Sequence, residues 1–464
     1  MNIILTSAVS GILFMFSGFV LKDKRHLNIL AVLLFIAMIV SGIFQLQGCE
    51  VFQGKYPNMI ETDPYRILFF IILCLIGIYY TLVNRYNFSK PGSHVSDYFA
   101  LIFISFVGIA VLATFNNLML LFLGIEILSI PLYGLAGSAK HKMKSTEAAV
   151  KYFLMGAFST GIMLLGITLI YGATGSFMMK NIVAYSFDFQ SIYYLGWVLL
   201  VLAFCFKVSV APMHFWAPDV YEGTPTVFSS YMITIVKGAG FMAFITVMSA
   251  FKITSEIVVH NYQYLLSFII ILTLILGNFS ALKQTSVKRM LAYSSVVQAG
   301  FMMFAFFEIN EESRYALLYY TVSYGLASIV LFYTLTQVKK VSYKGFNGLS
   351  KRSPLLAFAS TIALLSLSGI PFTSGFLAKF FILSSAMKEP SNLILVIAAL
   401  VLAVLSIYYY IKVIIAMYFK KSDHKKIKLS LSSQILLILG TLLTFALGIY
   451  PDLLKMLLNC LTSR

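Results

Sequence analysis

Residues 204–226 read FCFKVSVAPMHFWAPDVYEGTPT, and the fold turns on how Lys207 is read there. The residues before it are apolar from about 192 onward, so the lysine falls inside a candidate membrane helix, with Pro212 five positions later. Proline has no amide hydrogen and its ring blocks the carbonyl four residues back, here that of Val208, so a charged amine and freed backbone groups coincide. The arrangement recurs. In residues 122–133, FLGIEILSIPLY, Glu126 precedes Pro131, which disturbs the carbonyl of Ile127. In residues 366–380, SLSGIPFTSGFLAKF, Gly369, Pro371 and Gly375 interrupt the apolar stretch 354–387 before Lys379. A straight helix of that stretch would run about 50 Å, well beyond the about 30 Å of hydrocarbon in a bilayer. Pro131, Pro212, Gly369 and Pro371 are therefore expected helix breaks, and broken helices at mid-membrane mark ion sites in transporters.

The rest of the chain agrees with a membrane reading. Of 464 residues, 60% are hydrophobic and 11% charged, and mean hydropathy is +0.90. A water-soluble chain of this size could not hide so much apolar surface. Fourteen candidate spans lie near 3–21, 27–46, 64–84, 98–114, 116–139, 146–172, 192–215, 225–250, 261–282, 287–307, 314–337, 354–387, 392–419 and 430–454. The first has no small-residue cleavage site after a short apolar core and is expected to be a span, not a removed signal peptide. The expected organisation is a single all-α polytopic domain. Three helices occupy 1–97, two charge-bearing groups occupy 98–250 and 261–419, and a final helix occupies 430–464.

Cys49, Cys74, Cys205 and Cys460 are far apart and form no CxxC pair, which excludes a cysteine-held iron–sulfur cluster or structural zinc. No GxGxxG, P-loop or long soluble stretch is present, which excludes a self-contained dehydrogenase or ATP-driven pump. The net charge of +17 would suit nucleic acid if it were not confined to loops. With the amino terminus outside, 21 loop bases fall on the inner side, in clusters around Lys22–Arg25, Arg85–Lys90, Lys140–Lys144, Lys283–Arg289, Lys339–Arg352 and Lys420–Lys428. Seven fall outside: Lys55, Lys180, Lys252, Arg314, Lys388, Lys455 and Arg464. Basic residues stay on the side from which a membrane protein inserts, so both termini are expected outside and no nucleic-acid partner is implied.

Six bases remain inside spans or at their edges: Arg66, Lys151, Lys207, Lys237, Lys379 and Lys412. Glu126 is the acid of a span interior. Each central charge costs about 2.5–3.5 kcal/mol on insertion scales, so retaining several implies a polar path. Arg66 and Lys412 are near enough to span ends to snorkel to the headgroups. Lys207 and Lys237 are too central for that, and Lys151 is ambiguous. His214, beside Pro212, reads equally as an interface residue or a proton relay. A Glu126–Lys207 pair would act as a switch, holding the proton when close and releasing it when parted. Two unit charges about 7 Å apart at an effective dielectric near 20 interact by roughly 2.4 kcal/mol, close to the about 2.3 kcal/mol needed to lift one proton against 100 mV.

Four stretches taken in order carry a family resemblance: GIEILSIPLY (124–133), FKVSVAPMHFWAPDVYEGTPT (206–226) with the Lys237 helix after it, QTSVKRMLAYSSVVQAGF (284–301), and SGIPFTSGFLAKF (368–380). From about residue 64 to 419 the chain resembles the subunit N family of bacterial NADH-quinone oxidoreductase, respiratory complex I. PDVYEGTP is the specific element; the related L and M subunits and Mrp-type antiporter subunits usually carry PxAHxxAP there. The resemblance implies fourteen helices with two inverted five-helix repeats, each holding a discontinuous helix, and one proton-pumping channel in a cell inner membrane. It gives Glu126 the role of the fifth-helix glutamate, Lys151 that of a sixth-helix lysine, and Lys207 that of the seventh-helix partner of the glutamate. Lys237 takes the part of the central eighth-helix lysine and Lys379 that of the twelfth-helix lysine near the outer exit. Gln298 departs from the pattern: many members have histidine there, and an amide can hydrogen-bond water but not titrate. The implied partners are membrane subunits of the M, K, J and L types. NAD, FMN, iron–sulfur clusters and quinone are expected in partner subunits, and no cofactor or metal in this one.

Protons would thus pass from the inner side to Lys237, through hydrated residues to Lys379 and outward, driven by quinone reduction elsewhere in the complex. An Mrp-type Na+/H+ antiporter subunit is the alternative, and a purely structural scaffold is the reading from a different class.

Overall fold

The computed structural model describes residues 1–21, 23–49, 59–92, 94–183, 190–250, 256–338, 340–388, 392–421 and 425–456. Lys22, Lys55, Lys252, Lys339, Arg464 and Cys460 therefore lie outside the described residues. The architecture is all-helical. In chain order the helices are α1 (Asn2–Val20), α2 (Lys24–Leu46), α3 (Pro64–Asn84), α4 (Val95–Leu112), α5 (Leu118–Ala136), α6 (Met143–Thr174) and α7 (Met179–Val183). There follow α8 (Gln190–Val208), α9 (Trp216–Gly223), α10 (Thr226–Tyr231), α11 (Lys237–Ala250), α12 (Glu256–Leu282), α13 (Val287–Met302) and α14 (Glu311–Gln337). The last are α15 (Tyr343–Phe346), α16 (Leu349–Arg352), α17 (Pro354–Ser368), α18 (Ser374–Ala386), α19 (Leu393–Phe419) and α20 (Leu431–Ile449).

Side chains at the starts explain where many of these helices begin. Asp23, Asp63 and Asn117 each accept the amide two residues on, and Ser286, Asn310 and Ser430 the amide three residues on. Each thereby satisfies one of the donors a first turn leaves without a partner, which is worth about 1 kcal/mol. Pro64 and Pro354 fill first-turn positions, where the absent amide hydrogen costs nothing.

Twelve helices among the described residues are long and apolar enough to cross a membrane, counting α10, a π turn at Met232–Val236 and α11 as one. The stretch 354–387 is two short helices, α17 and α18, as the Gly369–Pro371 segment predicts. The α10–α11 rod and α14 are the most completely buried spans, and α1, α2, α6 and α20 are peripheral. The main packing is α1 on α4, α2 on α3, α4 on α5, α6 on α8, α12 on α13, and α14 against α17 and α18. Loops expected on one side gather at one end: Ile60 bridges Phe115 and Asn117 bridges Met178, while Ser286 bridges Ser342 at the other end.

The structure corrects two expectations here. Pro131 does not break its helix: α5 is continuous from Leu118 to Ala136, because a proline forfeits one intrahelical bond and the flanking Leu128, Leu132 and Leu135 remain packed in the core. Arg66 does not snorkel. It turns inward, donates to the Phe115 carbonyl at 2.5 Å, and pairs with Asp63 and Glu61 at 3.3 and 3.8 Å, so the protein supplies the partners that its charge needs. Lys412 is exposed, its amine 4.6 Å from the centre of the Tyr343 ring, as a snorkelling lysine would be.

Close approach of α4 and α5 depends on Gly108, where a Cβ would come within 2.4 Å of the Leu128 nitrogen and 2.8 Å of the Gly124 carbonyl. Backbone atoms cannot yield as a side chain can. Gly108→Ala should destabilise the protein by about 1–3 kcal/mol, whereas Gly161→Ala on α6, with nothing within 4 Å, should be neutral. Thermal denaturation of the two variants in detergent or membrane separates these outcomes.

Candidate functional site

Two helix breaks organise the interior. At the first, α8 ends at Val208 and the chain passes through Ser209, at φ 60°, and Pro212 before α9 begins. The freed polar groups find partners: Trp216 Nε1 donates to the Phe206 carbonyl at 3.1 Å, Val210 N to that of Cys205 at 2.8 Å, and Ala211 N to Thr273 Oγ1 at 3.0 Å. Lys207 lies in the last turn of α8, where carbonyl dipoles point toward a cation. At the second break α17 ends on Gly369 at φ +84°, a left-handed conformation that disfavours a Cβ. Lys379 reaches back from α18 and donates to the carbonyls of Leu367 and Ser368, both at 3.0 Å. Each break thus sets a lysine at the carbonyl end of a half-helix, the arrangement by which transporters hold cations in the membrane.

Lys237 reaches its place differently. It follows the π turn Met232–Val236, and its own amide bonds back to the Met232 carbonyl, five residues earlier. Such a turn shifts the register of everything after it, and π turns recur at functional sites. The Lys237 amine donates to the Ser295 carbonyl at 2.8 Å and to Ser295 Oγ at 3.2 Å on α13. Lys207, Lys237 and Lys379 are all buried, and among the described residues none is within ion-pair distance of a carboxylate. Their hydrogen-bond partners are neutral oxygens.

From Lys237 a series of polar groups leads toward Lys379, its step from Ser295 to Ser294 being adjacency along α13 rather than a hydrogen bond. Ser294, next to Ser295, bonds Tyr410 Oη of α19 at 2.5 Å; Gln298 Nε2 donates to that same hydroxyl at 3.2 Å and to the Leu367 carbonyl at 2.9 Å. Gln298 Oε1 accepts from Tyr320. The Leu367 carbonyl is therefore shared by Gln298 and Lys379, and the Lys379 amine also lies 4.8 Å from the centre of the Phe301 ring. Gln298 thus spends both amide hydrogens and one of the two Oε1 lone pairs on protein groups.

The other expected residues divide. Lys207 is not ion-paired with Glu126. Its amine donates to Ser129 Oγ at 2.6 Å, and Ser129 donates to the Ile125 carbonyl. Glu126 is half-buried, on the same stripe of α5 as the exposed Leu123 and Ile130, and turns partly to the lateral surface of the chain. Beside Lys207 a crevice of about 10 Å³, lined by Ser129, Tyr133, Ser159 and Thr160 among others, has room for about one water. The stem of Lys207 packs by Gly240, one turn beyond Lys237, where a Cβ would stand 3.5 Å from Lys207 Cγ. Lys151 does not join these lysines. It is half-exposed and pairs with Glu147 at 2.7 Å and Asp219 at 3.0 Å, because the charged edge of α9 offers it carboxylates at the end of the bundle. His214 is buried in the first break, its ring tilted 34° against that of Phe215 at 4.4 Å, with Nδ1 unpartnered and no bond to Lys207.

Sequence reasoning passed over Ser129, Ser294, Ser295, Tyr320 and Tyr410, which supply most of the acceptors. The adjacent serines of AYSSVVQ were the available signal. It also passed over the lock on PDVYEGTP: Arg289 pairs with Asp219 at 2.8 Å and Glu222 at 2.9 Å, and buried Lys288 donates to the carbonyls of Glu222 and Thr224. The charged residues of that string thus hold α9 against α13.

Residues 115–406 match a family model described as NADH:quinone oxidoreductase/Mrp antiporter, transmembrane. The chain is 38% identical over 463 residues to NADH-quinone oxidoreductase subunit N of Cytophaga hutchinsonii, covering 98% of each. Its fold superposes with a TM-score of 0.82 on a chain of respiratory complex I from Thermus thermophilus, at 29% identity over 97% of this chain and 98% of that one. It superposes with a TM-score of 0.86 on a chain of an archaeal membrane-bound sulfane sulfur reductase, at 25% identity over 99% and 96%.

Removing the acceptor of Lys207 tests whether that contact stabilises the interior. Ser129→Ala leaves a buried amine without a partner and should cost about 1–3 kcal/mol, and adding Lys207→Met should recover most of it. Equal melting temperatures for the single and double variants would show that the Lys207–Ser129 contact does not matter.

Proposed function

The chain belongs to the NADH:quinone oxidoreductase/Mrp antiporter membrane family, and within it to the subunit N group, and from that premise we propose that it is a proton-translocating membrane subunit of a NADH-quinone oxidoreductase. The observation that carries the reading is the polar series leading from Lys237 through Ser295, its neighbour Ser294, Tyr410, Gln298 and the Leu367 carbonyl to Lys379, in which buried amines are held by hydroxyl and carbonyl oxygens rather than neutralised by carboxylates. An amine paired with a carboxylate holds its proton; one held by hydroxyls and carbonyls can give it up, and hydroxyls both accept and donate. Gln298 cannot take up a proton at these pH values, so it orders Tyr410 and Tyr320 while the transfer itself runs through hydroxyls and intervening water.

The enzyme is the whole complex, of the translocase class, with NAD, FMN, iron–sulfur clusters and quinone in partner subunits and no redox centre in this chain. Quinone reduction there would drive the switch at Lys207. Ser129 stands three residues beyond Glu126 on α5, a rise of about 4.5 Å. Lys207 thus has two acceptors one turn apart, a neutral hydroxyl and a carboxylate. Movement from Ser129 to Glu126 fixes its charge and repels a proton at Lys237; the return releases it. The partial exposure of Glu126 suits control by a neighbouring membrane subunit, of the M, K, J or L type, packed on that face.

In this reading the chain has fourteen membrane helices, the twelve long ones together with α13 and the broken α17–α18, and 98–250 and 261–419 are inverted five-helix repeats. Both termini face the outer side of the inner membrane. The Mrp-type Na+/H+ antiporter reading shares the fold, and genes for quinone-reductase subunits beside this one would favour the first.

Lys237→Ala in the assembled complex should leave assembly intact while coupled proton transport falls about tenfold or more, equal to about 1.4 kcal/mol or more on the limiting barrier. Tyr410→Phe, which removes one hydroxyl without changing shape, should slow transport at unchanged subunit content. Proton uptake by energised vesicles checks both, and wild-type stoichiometry in Lys237→Ala would refute the assignment.

A further inference from the structure

A cavity of about 340 Å³ opens at the end of the bundle where the loops around Lys90, Lys142 and Val341 meet the start of the Lys237 rod at Thr226. Four lysines line it: Lys90, Lys142, Lys144 and Lys288. Among the described residues none of the four has a carboxylate within 4.0 Å. Lys90 donates to the Thr336 carbonyl at 2.6 Å, and Lys288, 4% exposed, donates to the carbonyls of Glu222 and Thr224. Carbonyls hold an ammonium in place but do not cancel its charge. Glu222, the acid in the lining, is taken by Arg289 at 2.9 Å. Thr224 Oγ1, fully buried on the same wall, has no hydrogen-bond partner.

Four like charges converging on one hollow repel one another, more so where protein and bilayer lower the local dielectric. An anion entering the hollow would lower that cost while leaving all four amines charged. A chloride would leave most of 340 Å³ unfilled, whereas a phosphate group offers several oxygens to separate ammonium donors and to the free threonine hydroxyl. Leu335, Val338 and Val341 add an apolar side to the same cavity. We infer that this cavity binds a phosphate-bearing anion, either the headgroup of an anionic phospholipid or free inorganic phosphate. Basic pockets between helices at the inner membrane surface take lipid headgroups in this way. Bound there, the anion would tie α10 to the loops before α4, before α6 and after α14, and would fix the end of the rod that carries Lys237.

The intact complex, delipidated and reconstituted in phosphatidylcholine nanodiscs, can be titrated with phosphatidylglycerol in one arm and inorganic phosphate in the other. Bound anion is counted by native mass spectrometry and thermal stability is followed in parallel. Wild type should take up one equivalent saturably in one arm, and which arm identifies the source. The exposed Lys142→Gln/Lys144→Gln variant should weaken that uptake at least about tenfold, the equivalent of 1.4 kcal/mol, and Lys90→Gln alone should weaken it less. Lys421→Gln/Lys426→Gln, exposed lysines away from the cavity, should bind as wild type. No saturable uptake in either arm, or equal weakening by the Lys421/Lys426 variant, would overturn the assignment.

Discussion

The interior is governed by the need of a buried amine for oxygen. Lys207, Lys237 and Lys379 each sit where hydrocarbon or packed protein replaces water, and each is held by carbonyl or hydroxyl oxygens. Carbonyls are normally consumed by the helix that contains them. The break at 369–373 releases two of them to Lys379, whereas at 209–215 the freed Cys205 and Phe206 carbonyls go to Val210 N and Trp216 Nε1 and Lys207 turns to Ser129. Both breaks rest on the residues found there: Pro212 and Pro371, which cannot continue a helix, and Gly369, which can turn left-handed. Removing a Cβ at Gly369 also leaves room for Lys379, whose Cδ would otherwise meet it at 3.0 Å.

Holding the amines with neutral oxygens rather than carboxylates has a functional consequence. A buried ion pair is a stable end state, costly to break once made. Lysines held by hydroxyls and carbonyls carry no such lock, which is what the proposed proton relay requires. Glu126 stands one turn from the current partner of Lys207, close enough to offer the alternative and far enough not to impose it. The charged pairs the chain does form lie at the ends of the bundle, as with Arg66–Asp63 and the Lys151–Asp219–Arg289–Glu222 cluster. There they lock helices rather than carry charge across.

Those end clusters also show why position within a span misleads. Lys151 and Lys207 are each one lysine in an apolar stretch, yet one meets two carboxylates and the other a serine. Arg66 and Lys412 both lie near span ends, yet Arg66 turns into the protein and Lys412 stays out. The sign and depth of a charge are in the sequence; its partner belongs to another helix.

Hydropathy and charge alone determined that this is a helical membrane protein with basic loops and a few amines retained inside, because apolar runs of about 20 residues satisfy their backbone in a bilayer as helices and every buried charge is costly there. The glycine and proline positions determined two of the breaks, since backbone conformation is a local property. Only the tertiary structure decided that Pro131 is carried within a continuous helix, that Ser129 rather than Glu126 holds Lys207, and that Gln298 and Lys379 share one carbonyl. Each of those outcomes depends on how closely separate helices approach, which packing sets and no single stretch of chain contains.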